Sequence, residues 1–258
     1  MKALYQKSEI CFAVAWIIAY CVLASMGDSL SARIGTQKIV TLPILIVLSV
    51  ILFLFVQKNQ LLEKYGLCKS KIPASKMLFY MPLLSLLTVN LWYGCSMSSS
   101  KLETVFYILS MLCVGFLEEM IFRGFLFCAM AENGVKSAII VSSVTFGVGH
   151  IINLINASGA ELLPNLFQVI YAMAAGFMFV MIFYKTKSLL PCIVTHGIFN
   201  ALSVFGNEAA MTSQRNIISC FFMVLVSGAY ALYIAFMIKP NHIKDNILSK
   251  VQKGVARK

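Results

Sequence analysis

Phe116-Leu117-Glu118-Glu119-Met120-Ile121-Phe122-Arg123 sets two acids and a base inside the apolar run 103–131. A run of that length can cross a ~30 Å hydrocarbon core, which takes about 20 helical residues. Outward from it, comparable runs recur at 9–26, 39–56, 77–94, 136–154, 163–184, 188–206 and 216–238. The pattern predicts an all-α, polytopic membrane protein with about eight transmembrane helices. Composition agrees, with 60% hydrophobic and 12% charged residues among 258 and a mean hydropathy of +0.85. The longest polar pieces are the 57–76 loop and the tail after Lys239, so no separate soluble domain is expected. The natural divisions are 1–76 (amino-terminal spans and basic loop), 77–206 (a core carrying the charged motifs) and 207–258 (last span and basic tail).

The net charge of +11 is explained by topology rather than by nucleic acid. With both termini on one side, that side carries sixteen Lys and Arg, including Lys58, Lys64, Lys69, Lys71 and Lys76, against Arg33, Lys38, Lys101 and Arg215 on the other. This asymmetry predicts a multi-pass cell-membrane protein with cytoplasmic termini and the lipid bilayer as its first partner. The 57–76 loop then reads as a solvated basic face near anionic headgroups. Eight scattered cysteines without a C-x-x-C pair indicate neither a disulfide framework nor a thiolate metal site. Residues 1–32 could imitate a secretory signal, but the apolar stretch is long for one, and they are read as a retained first span.

Residues 9–94 hold little polar character, and Trp16, Trp92 and Tyr93 suit interface anchoring. Nothing in them suggests chemistry. In the fourth span, Glu119 and Arg123 are i and i+4, in the acid-before-base order that helices favour. Glu118 points about 100° away. One glutamate is thus neutralised locally, while the other must be protonated, hydrated or paired across helices. An unpaired charge at mid-membrane costs at least ~2.5–3.5 kcal/mol, which makes a functional role the default.

The fifth span ends in Gly147-Val148-Gly149-His150, where two glycines flatten a face for close approach by a helix or a substrate backbone. In the seventh, His196 and Asn200 stack four apart. With a rise of about 1.5 Å per residue, Glu118, His150 and Asn200 lie roughly 20 Å from the cytoplasmic ends of their helices and His196 about 13 Å. Three helices therefore bring polar groups to a similar level. The sixth span, with Gln168 and Tyr171, and the eighth, with Ser227 and Gly228, read as packing helices. His242 lies in the tail and is uninvolved.

A desolvated glutamate can act as a general base, so Glu118 and His150 could hold and deprotonate a water. His196 and Asn200 could then donate to the oxyanion formed at a peptide carbonyl. Glu119 with Arg123 would fix the helix rotation that aims Glu118. Zinc held by Glu118, His150 and His196 is the alternative, although no H-E-x-x-H is present; the preferred reading has no metal and no other cofactor.

Glu118-Glu119-x-x-x-Arg123, Phe146-x-x-x-His150 and His196-x-x-x-Asn200, in that order on three spans, resemble the CPBP intramembrane proteases. That family contains the CAAX prenyl endopeptidases and bacteriocin-processing or self-immunity proteins. The resemblance implies a glutamate-dependent endopeptidase with an all-helical core. It implies catalytic roles for Glu118, His150, His196 and Asn200, supporting roles for Glu119, Arg123 and Phe146, and a membrane-delivered peptide or protein as substrate. The alternatives to an intramembrane endopeptidase are a non-proteolytic immunity or binding protein on the same fold, and a proton-coupled transporter.

Overall fold

The computed structural model of the chain describes residues 1–155 and 161–238. The basic tail, with His242, lies outside the described residues. Helix α1 (Lys2–Lys7) leads into α2 (Glu9–Ile34), and α3 (Thr41–Lys58) follows the 35–40 turn. The third apolar stretch is broken rather than continuous. A 3-10 segment, Ala74–Tyr80, gives way to the short α4 (Met81–Leu87) and a further turn at Val89–Leu91. The cause is local, because Leu78, Phe79 and Tyr80 all take left-handed backbone (φ 51°, 49° and 58°), which ends regular helix.

The central span is α5 (Lys101–Glu118), a π-helical stretch (Glu119–Phe127) and α6 (Cys128–Ala131). It begins with a capping box in which Ser100 and Glu103 satisfy each other's backbone N–H groups. Every residue from Glu119 to Phe127 is buried, so this stretch runs through the middle of the bundle. Around it stand α7 (Val135–Gly149) with a 3-10 extension (His150–Leu154), α8 (Leu162–Thr186), α9 (Leu190–Leu202) with its 3-10 extension (Ser203–Phe205), and α10 (Ser213–Met237).

Among the described residues seven helices are long and apolar enough to cross a membrane, and Leu190–Phe205 is too short to count as one. The seventh of the eight expected spans is thus this shorter helix, and it carries His196 and Asn200. Its end is fixed by backbone pairing of Ser96 with Phe205 and of Asn207 with Gly94, which turns the chain away.

Two expectations about the amino-terminal third are corrected here. Trp16 is buried and packs with Phe12 and Phe125 rather than sitting at an interface, whereas Trp92 and Tyr93 are peripheral, against Phe222 and Arg215. The basic loop is not merely solvated. Tyr65 is fully buried, Lys64 pairs with Glu9, and Leu189 N–H donates to the Gly66 carbonyl. Gly66, at φ +71°, lies so close to Phe183 that a side chain there would collide with it. Burial also pushes the Tyr65 phenol well above its ordinary pKa. All eight cysteines are free thiols, as the sequence suggests.

Candidate active site

Glu118 closes α5 and Glu119 opens the π-helical stretch, so consecutive carboxylates leave the helix in different directions. Glu119 meets Arg123 at 2.9 Å with both side chains fully buried, as their spacing predicts. The guanidinium also lies 4.0 Å from the centre of the Phe146 ring, a cation–π contact that helps hold a charge away from water. The brace is not self-contained, however. The same Glu119 Oε1 is 2.9 Å from His196 Nδ1, while His196 Nε2 lies 3.5 Å from Glu118 Oε2. One imidazole is therefore flanked by both carboxylates, which corrects the division of Glu119 into a purely local partner.

The helices meet this closely because of two glycines. A Cβ on Gly115 would sit 2.5 Å from Gly197 N and 2.6 Å from its Cα, so α5 and α9 cross in near backbone contact. Gly115 lies one turn before Glu118 and Gly197 follows His196, so the crossing sets the distance between acid and imidazole. The two glycines of α7 have separate duties. A Cβ on Gly147 would collide with Met173 of α8, whereas nothing lies within 4 Å of one on Gly149, which lines a cavity.

That cavity, of about 300 Å³, brings together Glu118, His150 and Asn200, and runs to Lys38 and Ser203 at one end of the bundle. His150 opens the 3-10 extension of α7, with Nδ1 3.0 Å from the Phe146 carbonyl. A carbonyl only accepts, so Nδ1 carries the hydrogen and the neutral ring keeps its lone pair on Nε2. The same logic applied to His196 puts a hydrogen on Nδ1, donated to Glu119. Its Nε2 and Glu118 Oε2 then face one another as acceptors unless a proton or a water hydrogen lies between them.

Residues outside the expected set complete the site. Tyr20 of α2 donates its phenol hydrogen to Glu118 Oε1 at 2.7 Å, from a span in which sequence suggested no chemistry. A buried phenol needs a partner, and residue 20 stands about 16 Å into its helix, a depth that agrees with the site but does not by itself single out this tyrosine. Asn165 of α8 donates to the His150 carbonyl at 3.0 Å, and Gln168 and Tyr171 line the cavity, so α8 does more than pack. Asn90, in the broken third stretch, donates to the Phe199 carbonyl at 2.7 Å, one residue before Asn200.

Among the described residues no three His, Cys, Asp or Glu side chains are grouped as a metal ion requires.

The fold and site thus define a helical membrane protein with a carboxylate, an imidazole and an amide lining one cavity and a second imidazole set against the carboxylate. Residues 100–202 match the family model for type II CAAX prenyl endopeptidase Rce1-like domains. The match includes every motif position from Glu118 to Asn200 and starts later than the expected core, at 100 rather than 77. Searches of curated proteins and of solved structures gave no match.

Proposed function

We propose that the protein is an intramembrane endopeptidase that hydrolyses a peptide bond of a membrane-delivered peptide or protein. The observation that carries this reading is the convergence of Glu118, His150 and Asn200 on one cavity, with His196 against Glu118, within the residues that match the Rce1-like family model. In the mechanism, Glu118 and the Nε2 lone pair of His150 orient a water and take its proton as it attacks the scissile carbonyl. The negative charge that develops on the carbonyl oxygen is met by the Asn200 amide and by His196, which can donate from Nε2 once it carries a second proton. Glu119, held by Arg123, keeps the imidazole of His196 in place. The proton taken from water then passes to the departing amine.

The charge asymmetry of the loops supports cytoplasmic termini. With the amino end there, α2 delivers the 35–40 turn, and the Lys38 end of the cavity, to the opposite face. That placement favours a leader or membrane-anchored peptide arriving within the bilayer or from the non-cytoplasmic side over a lipidated cytoplasmic tail.

The test is cleavage of a peptide panel by the purified protein in mixed micelles, with and without a chelator, the products identified by mass. Cleavage that survives chelation supports this mechanism. Cleavage lost on chelation and restored by zinc removes its metal-free form, and no cleavage of any membrane-delivered peptide removes the reading itself.

A further inference from the structure

The cavity has a side compartment with different chemistry. Beyond His150 and Asn200 a smaller pocket, of about 60 Å³, lies between α8, α9 and α10. Its space comes from α8, where Ala172 and Ala175 stand on the face that otherwise presents Tyr171 and Phe179. Larger residues at the alanine positions would close it. Thr195 and Met223 supply other walls, and no Asp, Glu, Lys or Arg lines it. On the α10 side Ser227 is fully buried, and its hydroxyl makes no hydrogen bond among the described residues. A lone buried hydroxyl beside open space points to a ligand group there.

We propose that this compartment is the specificity pocket of the enzyme, taking an uncharged side chain of about leucine size from a residue flanking the scissile bond. It rests on the proteolytic reading above. The location is suitable because His150 and Asn200 line both compartments, so a carbonyl presented to them places a neighbouring side chain at the pocket entrance. The volume admits a few water-sized groups, each needing at least ~10–15 Å³, which corresponds to the four carbons of a leucine side chain. A charged side chain would lose its hydration with no Asp, Glu, Lys or Arg in the wall to meet it, the imidazoles of His150 and His196 at the entrance being engaged in catalysis. Ser227 gives the pocket one hydrogen bond, enough to accept an amide or hydroxyl tip alongside aliphatic groups.

The experiment uses fluorogenic peptides in mixed micelles whose residues on each side of the bond are varied through Gly, Leu, Phe, Gln, Asp and Lys. For the wild-type protein, kcat/KM is expected to be at least tenfold higher for Leu than for Asp or Lys at one position. Ala175→Phe should lower kcat/KM for the Leu peptide tenfold or more while changing the Gly peptide less than threefold. Ala175→Gly should shift preference towards Phe, a gain that a misfolded variant cannot show. Binding of the same peptides to the Glu118→Gln protein, with and without the Ala175 changes, reads the pocket without turnover. If the wild type is inactive but binding preferences follow residue 175, the enzymatic reading falls and the pocket stands. Preferences that ignore residue 175 in both assays overturn the pocket, whatever the activity.

Discussion

Two ionic clusters are built into the spans, and they are completed in different ways. At one end of the cavity Asp28 Oδ1 accepts from Lys38 Nζ at 2.7 Å and from Thr41 Oγ1 at 2.6 Å, while Ser31 Oγ accepts from Val40 N–H. None of these side chains has a buried polar atom left over. The cluster fastens the end of α2 to the start of α3. At the centre, Glu118 Oε2, Glu119 Oε2 and Arg123 Nε and Nη2 are buried without a hydrogen bond among the described residues. Buried polar groups are normally satisfied because leaving one unmade costs about 1–3 kcal/mol. A closed cluster is what a joint requires, and an open one is what a site requires: Glu118, which lines the cavity, keeps a carboxylate oxygen free for water or substrate.

The sharpest way to break the contrast is Glu118→Gln. It removes the proton acceptor with little change in shape, and a drop of about 10²–10⁴-fold in kcat is expected from the loss of general-base catalysis. Normal turnover in a variant that elutes as wild type in detergent would place the central cluster with the structural one. Next comes Arg123→Met, which leaves Glu119 buried without its cation. Breaking a fully buried pair in this way costs about 3–5 kcal/mol, and thermal unfolding in detergent should show it. Adding Glu119→Gln should recover part of that loss; a double variant no more stable than the single would mean the pair is not coupled.

Tyr20→Phe tests whether α2 belongs to the site. Losing one hydrogen bond to a carboxylate, worth about 1.5 kcal/mol, should lower kcat about tenfold with KM unchanged. A rise in KM alone would assign Tyr20 to substrate contact instead. Asp28→Asn should be milder, costing about 1 kcal/mol of stability with less than a threefold change in turnover, because that pair's side chains keep 15% and 17% exposure. A loss as large as that of Glu118→Gln would erase the distinction between the clusters.

The smallest effect concerns the loop. Lys71, hydrogen-bonded to Glu63, holds its carboxyl below the usual carboxylate range. A lowered folded value stabilises above the unfolded pKa, about 4.3, and the contribution is lost as pH falls through the folded one. With Glu63 64% exposed, solvent screening keeps the change under ~0.5 kcal/mol, to be read as the difference between wild type and Glu63→Gln across pH 2–6.

Much of the site was legible because charge in an apolar span is conspicuous. Glu118, Glu119, Arg123, His150, His196 and Asn200 stand out against residues that lipid or a core would accept. The i, i+4 pairing of Glu119 with Arg123 followed from helix periodicity and was found at 2.9 Å. Tyr20, Asn165 and Asn90 were not legible in the same way. A single phenol or amide in a span is common, and only its partner, 98 residues away for Tyr20 and Glu118, gives it meaning.

The sequence by itself determined that the chain is helical and membrane-spanning, and which residues bear charge or imidazole at mid-depth. Hydropathy and periodicity are properties of neighbouring residues and need no tertiary information. Only the tertiary structure decided that α9 stops short of a full span, that the third stretch breaks at Leu78, and that Gly115 and Gly197 bring α5 and α9 into backbone contact. It also decided that both glutamates flank His196 rather than one serving Arg123 alone. These outcomes depend on the rotation and crossing of helices, which long-range packing fixes and local sequence does not.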